Sequence, residues 1–445
     1  MPLVSIIMPS LNVRQYIEKC LQSVVDQTLQ NIEIICIDAG STDGTREIIN
    51  KYVLKDNRVK VIDSEIKSYG YQVNLGMYYA SGKYIAIVET DDWIELNMFS
   101  ILYELAEREK LDYIVADFDF VYELRNGNLA RQRYKQFSNN DDIYGNVIGE
   151  KIINKLRASD YLLWKGIYNK KFIIDNNIRL HESPKAAFQD MGFLQQVKTY
   201  AKRAMYIDES FYRYRVGRKE ASSCNTDGLI FYKKEFEWIN NETNILKVMD
   251  KEYQKYYYQT MSISFVTKYA QVVKALDWNY EDSRLTVPYE WFKEQLYEKI
   301  KHNFIKSDIY DDDTWNQLTT LIESGKKYTL HLKAMYDIRL SKISELKKYR
   351  VIIFGCGKIG TDILKMCDIN NINVEMFVDN DVLLQKSGYC GYKVISVAQL
   401  SKIINYSQYA IIIAMKKDKE KVVDQMLQYD IRIRLYDSCF FYDYE

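Results

Sequence analysis

The chain has 445 residues, 61 Lys and Arg against 61 Asp and Glu, 47% hydrophobic residues and four prolines. That is enough apolar material for two or three domains, and the charge balance excludes a general nucleic-acid binder, whose footprint is a basic surplus. Seven scattered cysteines without C-x-x-C or Cys/His ligand spacing exclude a disulfide framework and a structural zinc; with no charged leader and no run of about 18 apolar residues, a cytoplasmic home is expected, with docking at the inner face of a membrane as the alternative.

Residues 3–8 read as a strand, 13–27 have helical apolar spacing (Tyr16, Ile17, Cys20, Leu21, Val24), and 32–37 read as a second strand, so the sheet begins parallel. A helix is expected over 45–54, a strand over 59–62, a helix over 71–80 and a strand over 84–88. In that last strand Tyr84, Ile85, Ala86, Ile87 and Val88 do not alternate, as befits a strand covered on both faces. It ends in Glu89, Thr90, Asp91 and Asp92, where open α/β sheets place their ligands. Carboxylates this close repel unless a cation joins them, which points to Mg²⁺ or Mn²⁺ held together with substrate phosphates. The alternative is that Thr90 or Asp91 caps a helix starting near Leu96.

Pro9-Ser10-Leu11-Asn12 follows the first strand and Asp38-Ala39-Gly40-Ser41-Thr42-Asp43-Gly44-Thr45 the second, so three loops share one rim. Asp38 suits a base or ribose, while Ser41, Thr42 or Asp43 are equally suited to capping the next helix. A phosphate loop at Gly76–Lys83 is rejected, because the glycine gap is wrong and a strand follows where a helix should.

These loops, with Val4-Ser5-Ile6-Ile7-Met8 before the first and Asn74-Leu75-Gly76 between the second and the acids, resemble the ordered signature of family 2 glycosyltransferases of GT-A fold. The resemblance implies an inverting transferase using a nucleotide-diphosphate sugar, a UDP-sugar by preference, with Mn²⁺ or Mg²⁺. By the same resemblance Asp38 contacts the base, Pro9, Ser10, Asn12 and Asn74 line the nucleotide, Asp91 lies near the ribose, and Asp92, aided by Asp91 or Glu89, binds the metal. The family's Ala-Arg-Asn stands here as Gln72-Val73-Asn74, so an arginine is missing and Lys67 is the nearby source of positive charge.

Further on, Gln189-Asp190 resembles the family's Glu-Asp motif at the head of an amphipathic helix (Phe193, Leu194, Val197), and Asp190 is the expected catalytic base; a plain helix cap is the alternative. Leu163-Trp164-Lys165-Gly166 resembles the acceptor-side strand, with Trp164 stacking on a sugar or packing in the core. Lys165 and the cluster Arg203, Arg213, Arg215, Arg218 and Lys219 offer charge for a diphosphate or an anionic acceptor, or form a solvated face. His181 reads as surface.

Residues 231–348 have helical spacing throughout and no legible chemistry; they suit core packing, an acceptor cleft or a homodimer contact. The last hundred residues return to βαβ: Gly355-Cys356-Gly357-Lys358-Ile359-Gly360 follows a strand, and Asp379 ends the next. This is a Rossmann-like fingerprint, expected over about one mononucleotide-binding half, and it marks a second candidate nucleotide site at Gly355, Gly357, Gly360 and Asp379.

The expected architecture is therefore α/β: a GT-A mixed sheet over 1–225, a helical region over 226–348 and a small Rossmann-like α/β domain over 349–445. The expected activity is glycosyl transfer to a glycan or lipid-linked acceptor in surface polysaccharide (capsule-type) synthesis. The alternative is a regulatory nucleotide-binding protein working through its last domain.

Overall fold

A computed structural model describes residues 1–137, 143–158, 160, 162–186, 188–217, 225–403, 406–431 and 433–441. The chain divides into two compact units, Met1–Asp119 with Tyr134–Thr329, and Phe120–Arg133 with Leu330–Glu445.

The first unit opens with β1 (Val4–Ser10), α1 (Arg14–Val25), β2 (Ile32–Asp38), α2 (Thr45–Lys55), β3 (Val59–Asp63), α3 (Tyr69–Tyr79) and β4 (Tyr84–Ile87). The chain continues through β5 (Trp93–Ile94), α4 (Met98–Glu109), β6 (Tyr113–Glu123) and β7 (Leu129–Tyr134), of which residues 120–133 count with the second unit, and then β8 (Val147–Ile148), α5 (Glu150–Lys155), β9 (Gly166–Asn169), α6 (Lys170–Asp175), α7 (Gln189–Tyr200) and β10 (Ala204–Arg215). The sheet runs β3-β2-β1-β4-β9-β6-β10-β5, with β7 on β6 and β8 on β10. β3, β2, β1 and β4 pair parallel, and β9 then runs antiparallel to both β4 and β6.

Every residue of β1, β2 and β4 is buried, which is why their sequences are apolar without alternation. α3 lies close on the sheet: a Cβ on Gly76 would stand 2.4 Å from Cγ2 of Ile7. The amino-terminal rim of the sheet, opposite the loops that follow β1, β2 and β4, is held by Glu33 near the start of β2. Burial would raise that carboxyl, but Ser5 Oγ, the Ser81 amide and hydroxyl, and the Lys60 ammonium bring it down to about 2.

α7 is buried on nearly all sides, so the amphipathic helix expected from Phe193, Leu194 and Val197 is instead a central one, touching α3, α5 and α8 (Gly228–Glu242). After it come α9 (Ile245–Val248), α10 (Lys251–Ala275), α11 (Ser283–Lys301), α12 (Asp312–Glu323) and α13 (Gly325–Leu346). Their aromatics form core: Phe265 stacks on Phe292 at 4.9 Å, and Phe236 meets Phe292 edge-on. Among the described residues no helix is long and apolar enough to cross a membrane.

The second unit carries β11 (Arg350–Phe354), α14 (Lys358–Ile369), β12 (Val374–Val378), α15 (Val382–Ser387), β13 (Val394–Ile395), α16 (Val397–Leu400), β14 (Tyr409–Ile413), α17 (Lys419–Gln428) and β15 (Arg434–Asp437). All pairs in its sheet are parallel, in the order β13-β12-β11-β14-β15. Two strands lie on each side of β11, so the order reverses there at a topological switch point.

Candidate active site

The carboxyl ends of β1, β2 and β4 are laced together by backbone carbonyls. Thr90 Oγ1 donates to Pro9 O (2.8 Å), the Ala39 amide to Ser10 O (3.0 Å), and the buried Gln72 side chain to both Ser10 O (3.0 Å) and Ile37 O (2.8 Å). Gln72, from α3, thus spans two strand tips, a role that its place in Gln72-Val73-Asn74 does not signal. Asn12 takes a left-handed φ of 53° and accepts at Oδ1 from the Thr42 amide (2.9 Å), joining the first two loops. Asp38 is buried, accepts from the Ser41 hydroxyl (2.5 Å) and lies 3.5 Å from the Arg46 guanidinium.

In the acid loop the three carboxylates differ. Asp92 is 1% exposed; its Oδ1 accepts from the Arg215 amide (2.7 Å), while Oδ2 is buried without a well-aligned hydrogen bond. Burial, reinforced by Asp91 and Glu89, pushes its carboxyl well above the usual range, and the Arg215 amide and Tyr212 hydroxyl only partly offset this. Asp91 is half-buried, its carbonyl accepting from Arg215 Nε (3.2 Å). Glu89 is held by the Tyr69 hydroxyl. The Arg215 guanidinium packs over Tyr16 (4.8 Å) and Trp93 (5.1 Å), so a cation stands beside the acids at the end of β10.

Asp190 lies in the first turn of α7. Its Oδ1 accepts from the Met191 amide (3.0 Å), and the residue is half-buried, enclosed by protein yet reachable. Burial first, then the nearby Glu235 charge, pushes its carboxyl up to about 7. The preceding Phe188 sits at φ 63°, unusual for a bulky side chain, and is held there by Tyr232 (ring centroids 4.3 Å) and by the Lys268 ammonium (4.5 Å) from the helical region. Gln189, in the motif's Glu position, bonds Ser183 Oγ (2.9 Å) and Lys185 O (3.0 Å), fixing the incoming loop. Asp190 and the acid loop share two tyrosine neighbours: Tyr69, hydrogen-bonded to Glu89, also lies within electrostatic range of Asp190, and Tyr214 lies within range of Asp92, Asp91, Glu89 and Asp190.

Other expected site residues sit differently. Trp164 is 4% exposed and stacks on Tyr212 (4.1 Å) and Tyr214 (5.0 Å), so it is core behind the acid loop and not a sugar platform. Lys165 is buried in an ion pair with Asp160 (2.5 Å), which Lys198 and Tyr206 also approach, so it presents no charge to a ligand. Asn74 spends its carboxamide on Leu180 N and O (both 2.9 Å) and on Glu182 (2.9 Å). Lys67 is exposed, with its carbonyl bonded to the Lys185 amide (2.8 Å). His181 is not simple surface: its Nδ1 lies 2.9 Å from the buried Glu235. Arg213 pairs with Glu95 (2.7 Å) and Arg203 bonds Glu109 O (2.9 Å), leaving Arg215 as the cluster member at the acids; Arg218 and Lys219 lie outside the described residues. A groove of about 910 Å³ between the starts of α1 and α2 shares only Asn12 with these residues.

Among the described residues no three His, Cys, Asp or Glu side chains are gathered into a ready-made metal cage. In the second unit Gly355 takes φ 110°, and a Cβ on Gly360 would fall 2.1 Å from Gly355 O, so both glycines serve the tight strand–helix turn. Gly357 is open above it, while Asp379 accepts from the amides of Cys356 (2.8 Å) and Asp381 (2.9 Å) and so closes the turn itself.

Residues 5–164 match the model of the family described as Glycosyl transferase family 2, and residues 347–434 that described as C2185-like, N-terminal. Glycosyltransferase GlyG of Streptococcus pneumoniae is 29% identical over 232 residues, which are 51% of this chain and 74% of GlyG. An uncharacterized glycosyltransferase of Haemophilus influenzae is 30% identical over 229 residues, 50% of this chain and 83% of that protein. Among solved structures, S. aureus TarS 1–349 in complex with UDP-GlcNAc is similar at 19% identity and a TM-score of 0.43, over 67% of this chain and 92% of that one.

Proposed function

The chain belongs to glycosyltransferase family 2, and from that premise we propose an inverting, metal-dependent transferase that moves a sugar from a UDP-sugar to a glycan or lipid-linked acceptor in surface polysaccharide synthesis. The observation that supports this reading is that the acid loop at the tip of β4 and Asp190 at the head of α7 share Tyr69 and Tyr214 as neighbours, Tyr69 being hydrogen-bonded to Glu89.

The donor set fits a hard divalent cation. Asp92 keeps a buried, poorly satisfied oxygen among like charges, and such ions need only one or two carboxylates when substrate phosphates complete their shell. Asp92 would hold Mn²⁺ or Mg²⁺ with Asp91 beside it, while Glu89 is engaged by Tyr69. Bound there, the ion supplies neutralisation of the charge that gathers on the departing diphosphate. Arg215 adds fixed positive charge on the same side. The loops at Pro9, Ser10, Asn12 and Asp38 form the nucleoside side of the site, with Asp38 as the acceptor for the base.

Asp190 takes the proton of the acceptor hydroxyl as its oxygen attacks the anomeric carbon from the face opposite the nucleotide, which inverts that centre. Its Oδ1 is occupied by the Met191 amide, so the proton goes to Oδ2. Asp190→Asn should keep UDP affinity in calorimetry and lose turnover of UDP-sugar; near-native turnover would overturn the assignment.

A further inference from the structure

Behind Asp190 lies a buried acid for which this chemistry has no role. Glu235, in α8 of the helical region, is 1% exposed. Its Oε2 lies 2.9 Å from His181 Nδ1, and the His181 ring stacks on Trp238 at 5.1 Å with the planes 2° apart. Its Oε1 is buried against α7 at Gly192: a Cβ there would stand 2.1 Å from that oxygen and 2.9 Å from Trp238. Only glycine admits the carboxylate so close to the turn that carries the base. His181 is itself placed by its neighbours, because Asn74 grips Leu180 and Glu182 on either side of it.

We propose that Glu235, locked by His181, is a positioning residue of the transfer reaction, which seats the first turn of α7 and sets the electrostatic field at Asp190. This rests on Asp190 being the base. A carboxylate packed against Gly192, two residues on from Asp190, opposes ionisation of Asp190 and so keeps its proton affinity poised near neutral pH. The groups facing Asp190 are Glu235 from α8, Tyr69 from α3, Tyr168 from β9 and Tyr214 from β10; those facing Glu235 are His181, Asp190 and Tyr257 from α10. Burial raises the Glu235 carboxyl as well and His181 opposes this, so the charge that Glu235 brings to the base from outside the sheet depends on its bond to His181.

The Met191 amide donates to Asp190, so its proton resonance reports the ionisation of Asp190 without any donor or acceptor. In the full chain labelled with ¹⁵N-methionine, with the signal assigned through Met191→Leu, the Met191 amide should titrate near pH 7 and stop titrating in Asp190→Asn. Glu235→Gln should move the midpoint down by about one pH unit. Glu235→Asp should hold it near the wild-type position where the isosteric Glu235→Asn lowers it, which separates charge from packing and serves if the Gln variant does not fold. An unmoved midpoint in Glu235→Gln, or equal midpoints for the Asp and Asn variants, would overturn the proposal. UDP release from UDP-GlcNAc by Asp190→Asn separates the two failures: a moved midpoint with undiminished release removes the base assignment alone, and an unmoved midpoint with lost release removes the role of Glu235 alone.

Discussion

A carboxyl raised to about 7 makes the rate acid-sensitive in the middle of the physiological range. If Asp190 must be ionised to accept the proton, about one-eleventh of the enzyme is competent at pH 6, half at pH 7 and ten-elevenths at pH 8, so kcat/KM should climb about ten-fold from pH 6 to pH 8 and then level off. An ordinary aspartate would give a flat profile above about pH 5. Asparagine at this position keeps the shape and the bond to the Met191 amide but has no basic oxygen. The variant should lose about 10²–10⁴-fold in rate, and its residual rate should not follow the limb near pH 7. The assay is UDP release from UDP-GlcNAc and other UDP-hexoses in Mn²⁺, with water as acceptor. A wild-type profile flat between pH 6 and 8, or an Asn variant within about three-fold of wild type, would refute the reasoning.

Asp92→Asn should abolish Mn²⁺-dependent UDP binding in calorimetry yet raise the melting temperature at pH 8, because it removes a desolvated carboxylate from beside Asp91 and Glu89. The native carboxyl holds its proton to higher pH than the unfolded one, so its cost grows as pH rises above about 4 and the advantage of the variant should vanish in acid. Gln72→Ala frees two buried carbonyls at the tips of β1 and β2; urea unfolding should show a loss of about 2 kcal/mol, and UDP affinity should fall with it. Gly360→Ala drives a methyl into Gly355 O and should destabilise the second unit by about 1–3 kcal/mol in calorimetric scans, with little effect on UDP release.

The parallel half of the first sheet is legible in the sequence because its strands are buried on both faces: the apolar runs at Val4, Ile32 and Tyr84 stop abruptly where polar loops begin. The head of α7 is legible through Gln189-Asp190, and the helical region through its spacing. What stays hidden depends on partners far along the chain. Lys165 looks available until Asp160 and the β10 residue Tyr206 enclose it, and Trp164 looks like a platform until Tyr212 and Tyr214 stack on it. His181 looks like surface because Glu235, more than 50 residues on, has no local signature linking the two. Asp379 fits the ribose acid of a fingerprint by spacing, but spacing is silent on its hydrogen bonds to the amides of its own turn.

The central claim is that the nucleotide is held at the tips of β1, β2 and β4. Its most direct test is calorimetric titration of the full chain with UDP, with and without Mn²⁺, in wild type, Asp92→Asn and Asp379→Asn. The account predicts Mn²⁺-dependent binding that Asp92→Asn loses and Asp379→Asn keeps. Binding that survives Asp92→Asn and disappears in Asp379→Asn would contradict it and move the nucleotide to the second unit.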